Sequence, residues 1–203
     1  MALFADREDA GRALAAALVP GPDAVVYGIP RGGVVLAAEV ARAHGLPLDC
    51  VAVRKLGAPM NPEVALGAIA DEVLVISPEA ERTPGLTNDQ FQLTKDMEQA
   101  ELARRSRLYR ALRHNPAGRE AIVVDDGVAT GVTAIAACLA LQQKGAARVV
   151  LAVPVAPEGW TPGETADEYL CLSRRDDFLA VGQFYEAFGQ TSDGEVLKML
   201  DLT

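Results

Sequence analysis

"AIVVDDGVATGVT", residues 121 to 133, is the stretch on which the fold turns. A short apolar run ends in two acids, Asp125 and Asp126, passes through Gly127-Val128-Ala129-Thr130-Gly131, and resumes as the apolar "VTAIAACLALQQKG" of 132 to 145. A brief Val/Ile run followed by glycines and then a longer apolar segment reads as a buried strand, a turn and a helix. The strand "ARVVLAVPV" (147 to 155) follows. The same grammar appears earlier, with "AVVYGIP" (24 to 30) as a strand, "GVVLAAEVARAH" (33 to 44) as a helix and "LDCVAVR" (48 to 54) as a second strand. Strands that are continuously apolar, with helices between them, imply a mostly parallel sheet covered on both faces. The expected class is therefore α/β, a mostly parallel twisted sheet flanked by helices with a Rossmann-like core.

The remaining segments fit around that core. Asp6 is placed to cap a first helix over about 7 to 18, with Leu14 and Leu18 on one face, and Pro-Gly-Pro at 20 to 22 stops it. "LGAPMNPEV" (56 to 64) carries two prolines and an asparagine and reads as a loop able to move, spanning 57 to 66. "ALGAIADEVLVIS" (65 to 77) reads as two short strands around Asp71-Glu72, a short antiparallel insertion. A long polar helix is expected from about 88 to 113, opened by a Thr87/Gln90 capping box and supported by Glu101 and Arg105 four apart. No repeat or linker interrupts the chain, so residues 1 to 203 are expected to form one domain.

Composition narrows the function. Half of the 203 residues are hydrophobic, enough for a full core without metal or disulfide staples. A net charge of -9 and a pI near 4.7 make nucleic acid and anionic membranes unfavourable partners, because both are bound by excess basic charge. Cys50, Cys138 and Cys171 stand apart in apolar surroundings, as small buried hydrophobes of a reducing compartment do. No leader-like stretch or run of about 20 apolar residues is present, and a cytoplasmic location is expected. His44 and His114 fall near helix ends, where an imidazolium suits the dipole.

The chemistry of 121 to 133 follows from its parts. The first amides of a helix have no internal partner and, with the dipole, attract an anion such as phosphate. Gly127 and Gly131 let the backbone approach, and the hydroxyls of Thr130 and Thr133 donate to phosphate oxygens. Two carboxylates beside a phosphate repel it unless they bind something else, and sugar hydroxyls are what they accept best. Phosphate on the loop and a vicinal diol on the acids together describe a ribose 5-phosphate. Rival motifs fit poorly, since GxxxG without a following lysine is not a P-loop and no GxGxxG follows the first strand. "GIPRGG" (28 to 33) offers a second anion cradle through Gly32 and Gly33, with Arg31 adding charge, while Arg54 and Lys55 bring further cations at the end of the next strand.

These segments resemble the type I phosphoribosyltransferases, which use phosphoribosyl pyrophosphate (PRPP). "VVDDGVATGVT" is similar to that family's PRPP signature, "GIPRGG" to its pyrophosphate loop and "AVRKLGAP" (52 to 59) to the strand end and loop that face the leaving group. The resemblance covers about 22 to 155, and it implies a core there with a small C-terminal hood over 155 to 203. It implies that Asp125 and Asp126 hold the ribose hydroxyls and that Gly127, Val128, Ala129, Thr130, Gly131, Val132 and Thr133 hold the 5'-phosphate. Pro30, Arg31, Gly32 and Gly33 would hold pyrophosphate. The implied reaction moves the phosphoribosyl group to a nitrogen acceptor, a nucleobase in most relatives, and releases pyrophosphate. Arg54 and Lys55, with Mg2+, are the groups expected to stabilise the leaving group. Asp71 and Glu72 are the acids available to a metal, although a hairpin turn explains them equally well.

Several alternatives stay open. Ala129, where hypoxanthine-type relatives carry an acid, and the "VRK.G" segment resemble adenine- and uracil-type members, but no subclass accounts for 57 to 115. Phe178, Phe184, Tyr185 and Phe188 are candidates to stack on a base or to pin the C-terminal segment to the core. A PRPP-binding regulator without transferase activity is the alternative function. A homo-oligomer is compatible with the sequence, the helix over 7 to 18 offering one apolar face.

Overall fold

The computed structural model describes residues 2–201, with the backbone alone at residue 63. A five-stranded parallel sheet is ordered β2-β1-β6-β7-β8, from β1 (Val25–Gly28), β2 (Leu48–Cys50), β6 (Glu120–Val124), β7 (Arg148–Pro157) and β8 (Glu168–Arg175). A separate antiparallel sheet joins β3 (Val53–Ala58), β4 (Asn61–Ala70) and β5 (Val73–Ile76). The expected α/β class and its antiparallel insertion are both present.

Every residue of β1 is buried, as a strand covered on both faces requires. Val26, Ile122, Val124 and Ala152 face one core, shared with α1 (Arg7–Ala17), α2 (Gly32–His44) and α6 (Asp193–Asp201). Val25, Tyr27, Val123 and Leu151 alternate to the opposite core, under α5 (Val132–Gln143) and the small sheet. The long helix α4 (Asn88–Tyr109) packs Leu102 against Leu56 and Leu66 of the hairpin, and a short α3 (Pro78–Arg82) precedes it.

Local signals held where they were short-range. Asp6 accepts from the Asp9 amide at 2.8 Å, and Thr87 and Gln90 form the reciprocal capping box. Glu101 accepts from Arg105 Nε at 2.8 Å. α4 ends at Tyr109, earlier than residue 113, with Arg110 in a left-handed conformation.

Other expectations are corrected by tertiary context. The strand expected over 48 to 54 is two strands, because the chain leaves the parallel sheet at Val51 and enters the hairpin at Val53. The stretch 57 to 66 is the end of β3, a turn at Pro59-Met60 and the first half of β4. Pro62 fits β4 because only β3 flanks it there, with an irregular register. β8 lies beyond residue 155, so the parallel sheet extends into the segment read as hood. The apolar face of α1 is spent inside the fold, where Gly11 lets it approach α2 so closely that a Cβ would meet Leu36 Cα at 2.9 Å. His44 does not cap its own helix, since its Nε2 bonds the Ala15 carbonyl of α1 at 2.9 Å.

One buried carboxylate organises the return of the chain from α4. Asp49 is fully buried and accepts the amides of Cys50 (2.7 Å), Leu112 (3.1 Å) and His114 (2.7 Å). Burial raises its pKa, and the amides of His114 and Cys50 oppose the rise. Cys50 and Cys138 are buried and Cys171 half-buried, all three as free thiols. Among the described residues no helix is long and apolar enough to cross a membrane.

Candidate active site

β1 and β6 are hydrogen-bonded neighbours, yet the chain leaves β1 toward β2 and leaves β6 toward β7. Such a switch point opens a crevice at the carboxyl ends of the strands. The two glycine loops of the sequence meet there. Ile29 donates its amide to the Val124 carbonyl at 2.9 Å. A Cβ on Gly33 would lie 2.6 Å from the Val124 oxygen and 3.0 Å from Asp125 Cα. On Gly32 it would lie 2.0 Å from Asp126 Oδ2 and 2.7 Å from Arg7 Nε, so glycine at both positions is dictated by close approach. The Pro30–Arg31 peptide is cis. Arg31 stands at the N-cap of α2, its Nη1 3.8 Å from Asp193 Oδ1, and no side chain caps the helix amides.

The second loop is built differently. Val128 donates to the Val155 carbonyl at 3.0 Å, tying the loop to β7, while Ala129 and Thr130 are exposed. Gly131 turns the chain into α5 with φ of 82°, a conformation that favours glycine, and leaves that helix without a side-chain cap. Trp160 lies across Gly131, and its Nε1 donates to the Thr130 carbonyl at 3.2 Å. Thr133 is half-buried in the first turn of α5.

The acid pair sits between the loops. Asp126 donates its amide to Asp125 Oδ1 at 2.9 Å, and the Tyr185 hydroxyl donates to the Asp126 carbonyl at 2.6 Å. Burial, then the neighbouring Asp126 charge, pushes Asp125 well above the usual carboxylate range. Burial raises Asp126 as well, opposed chiefly by Arg7. Arg7, the first residue of α1, donates from Nε to Asp126 Oδ2 at 2.8 Å and from Nη1 to the Gly189 carbonyl at 2.6 Å. Its guanidinium lies 3.9 Å from the centre of the Phe188 ring.

Arg7, Trp160 and Tyr185 of this cluster carry no local sequence signal for a role at these loops. Only their distance-spanning contacts reveal them. Of the four aromatics, Phe184 and Tyr185 are buried and pin the C-terminal segment, Phe178 packs on Phe184 with ring centres 5.2 Å apart, and Phe188 is 38% exposed.

The remaining candidates are placed elsewhere. Arg54 lies inside β3 and bonds Glu98 of α4 from Nε at 2.6 Å. Lys55 lines the same hairpin-α4 cleft with Pro59, Pro62, Leu93 and Met97. Asp71 and Glu72 form the β4–β5 turn, and Asp71 pairs at 2.7 Å with Lys144, which follows the last turn of α5. A helix of 12 residues is about 18 Å long, so that carboxylate stands far from the loop at the helix start. Among the described residues no group of three or more His, Cys, Asp or Glu side chains forms a metal cage.

The phosphoribosyl transferase domain family matches residues 6–188. A Mycobacterium tuberculosis protein provisionally named a phosphoribosyl transferase is 45% identical over 99% of the chain, which spans 47% of that relative's length. The crystal structure of TT1426 from Thermus thermophilus is 42% identical, with a TM-score of 0.76 and 98% of each chain covered. A Neisseria gonorrhoeae protein crystallised with bound ppGpp shares the fold at 15% identity, with a TM-score of 0.52 over 97% of this chain and 92% of that one. With its two glycine loops meeting over an acid pair at the sheet's switch point, and the domain match running through all of them, the chain belongs to the phosphoribosyl transferase family.

Proposed function

We propose that the protein transfers the phosphoribosyl group of PRPP to a nitrogen acceptor, a nucleobase in the first instance, and releases pyrophosphate. The observation that carries this is the convergence of two uncapped helix starts on one acid pair at the β1/β6 switch point. The amides at Val132 and Thr133, with the Thr130 and Thr133 hydroxyls, receive the 5'-phosphate. Asp125 and Asp126 accept the ribose hydroxyls, and the amides of Gly32 and Gly33, beside Arg31, receive pyrophosphate. Mg2+ carried on the pyrophosphate supplies charge neutralisation of the leaving group.

The chemistry follows from where charge develops. As the anomeric bond stretches, the ribose gains positive character and the pyrophosphate negative character. Two half-buried carboxylates under the ribose favour the first, and oriented amides favour the second without reorganising. Arg54 and Lys55 add cations when the hairpin arm, including 57 to 66, closes over the ligand and excludes water, which requires Arg54 to release Glu98. The segment after β8 covers the acceptor. The working compartment is the cytoplasm.

The test is pyrophosphate release from PRPP with Mg2+, offered purines, pyrimidines and orotate in turn, beside the Asp125→Asn/Asp126→Asn double variant. Acceptor-dependent release that the variant lowers at least about hundredfold supports the transferase and identifies its acceptor. PRPP binding without release for any acceptor favours a PRPP-sensing regulator, and absence of PRPP binding overturns both.

A further inference from the structure

Arg7 is a cation held at the crevice by two distant parts of the chain, Asp126 and the segment Phe188-Gly189. Its side chain is 13% exposed, and Asp126, its ion-pair partner, is 17% exposed. A guanidinium has five N–H donors. Nε and one hydrogen of Nη1 are used, on Asp126 and the Gly189 carbonyl, and among the described residues no hydrogen bond from Nη2 is present. The plane is fixed by Phe188 against one face. It also stands directly over the pyrophosphate cradle, since Nε would touch a Cβ placed on Gly32. A half-buried cation with unspent donors beside the Gly32 loop, its plane set by an aromatic ring, is arranged for an oxygen-rich anion.

We propose that Arg7 is a ligand-binding residue of this site, contacting the pyrophosphate end of PRPP where it joins the ribose held by Asp126. Resting on the PRPP assignment, this gives the N-terminal helix a part in the site that the glycine motifs do not contain. Asp126 and Arg7 form one unit, the carboxylate taking a ribose hydroxyl and the guanidinium the adjacent phosphoryl oxygens. The unit spans the bond that breaks.

Pyrophosphate-bearing and pyrophosphate-free ligands separate this role from others. Titration calorimetry with Mg2+ compares PRPP and ribose 5-phosphate on the wild type, Arg7→Met, Arg7→Lys and Phe188→Ala, each checked for folding by its thermal transition. Expected is a loss of PRPP affinity of about tenfold or more in Arg7→Met, with ribose 5-phosphate changed less than about twofold. Arg7→Lys, which keeps charge without the fork, falls between. Phe188→Ala leaves the charge but frees its plane, and its smaller loss must again be confined to PRPP; this variant decides the matter if Arg7→Met does not fold. Equal losses for both ligands would reduce Arg7 to a positioning residue for Asp126, and no loss for either would remove it from the site. A wild type that binds neither ligand overturns the PRPP assignment itself, and this proposal with it.

Discussion

The two glycine loops use the same residue type for different physical ends. In 28 to 33 the glycines yield space: Gly33 presses on the Val124 carbonyl and Asp125 backbone, and Gly32 on the Asp126 and Arg7 side chains. In 127 to 131 Gly131 supplies a conformation, turning the chain with positive φ while Ala129 and Thr130 remain exposed. One loop is a wall of the crevice; the other carries exposed residues, with Trp160 across its last glycine. A motif read as "glycine-rich" therefore conceals two tolerances, and substitution distinguishes them.

The largest effect is expected where backbone meets backbone. Gly33→Ala should cost about 2–3 kcal/mol in urea unfolding, near the upper end for overpacking, because neither the Val124 carbonyl nor Asp125 Cα can move without shifting β6. Gly32→Ala meets side chains at its nearest contacts, so it should cost less stability than Gly33→Ala yet lose ligand binding by displacing Asp126 and Arg7. Equal destabilisation by the two would break the distinction.

Gly131→Ala comes next, at about 1–2 kcal/mol for a non-glycine residue at positive φ, with displacement of Trp160 from its place over the loop. Trp160 is the single tryptophan, so its emission is free of other indoles and reports on its seat between this loop and Tyr169. The spectrum should shift in Gly131→Ala and should respond to ribose 5-phosphate in the wild type. An unresponsive spectrum would remove the indole from the phosphate loop.

A third expectation concerns pH. Asp125 and Asp126 bind protons more tightly folded than unfolded, both being raised by burial. Their contribution to stability is fullest below the ordinary aspartate pKa of about 4 and declines as pH rises through the folded values. Replacing both by Asn should flatten that part of the melting temperature profile. Ligand binding runs in the opposite sense, strengthening as the carboxylates ionise, so the acid limb of PRPP affinity should lie above pH 4 or so. A limb at or below the ordinary aspartate value would contradict the burial of the pair.

The smallest stability effect belongs to Thr130→Ala, within about 0.5 kcal/mol for an exposed side chain. Its phosphate affinity should nonetheless fall, measured as a rise in KM for PRPP with thermal stability unchanged.

Much of this was legible in short windows of sequence. Strand, loop and helix around 121 to 133 follow from apolar runs and turn residues that act over a few positions, and the caps at Asp6 and Thr87 did so equally. The acid pair was placed at a strand end for the same reason. The strand carrying Arg54 and Lys55 was misread because periodicity cannot tell that an apolar run changes sheets at Val51, sending both into a hairpin against α4. Pro59 and Pro62 signal a loop locally, and only the ragged end of the β3–β4 pairing makes room for them in a hairpin.

By itself, then, the sequence determined the parallel α/β core, the two glycine loops at its strand ends and the carboxylates between them, since each is written in residues adjacent along the chain. Tertiary structure alone decided that Arg7, 119 positions from Asp126, is its ion-pair partner, that Trp160 covers Gly131, and that Tyr185 braces the acid loop. Those contacts depend on how α1 and the C-terminal segment dock on the sheet, which is set by mutual burial of surfaces that no local pattern encodes.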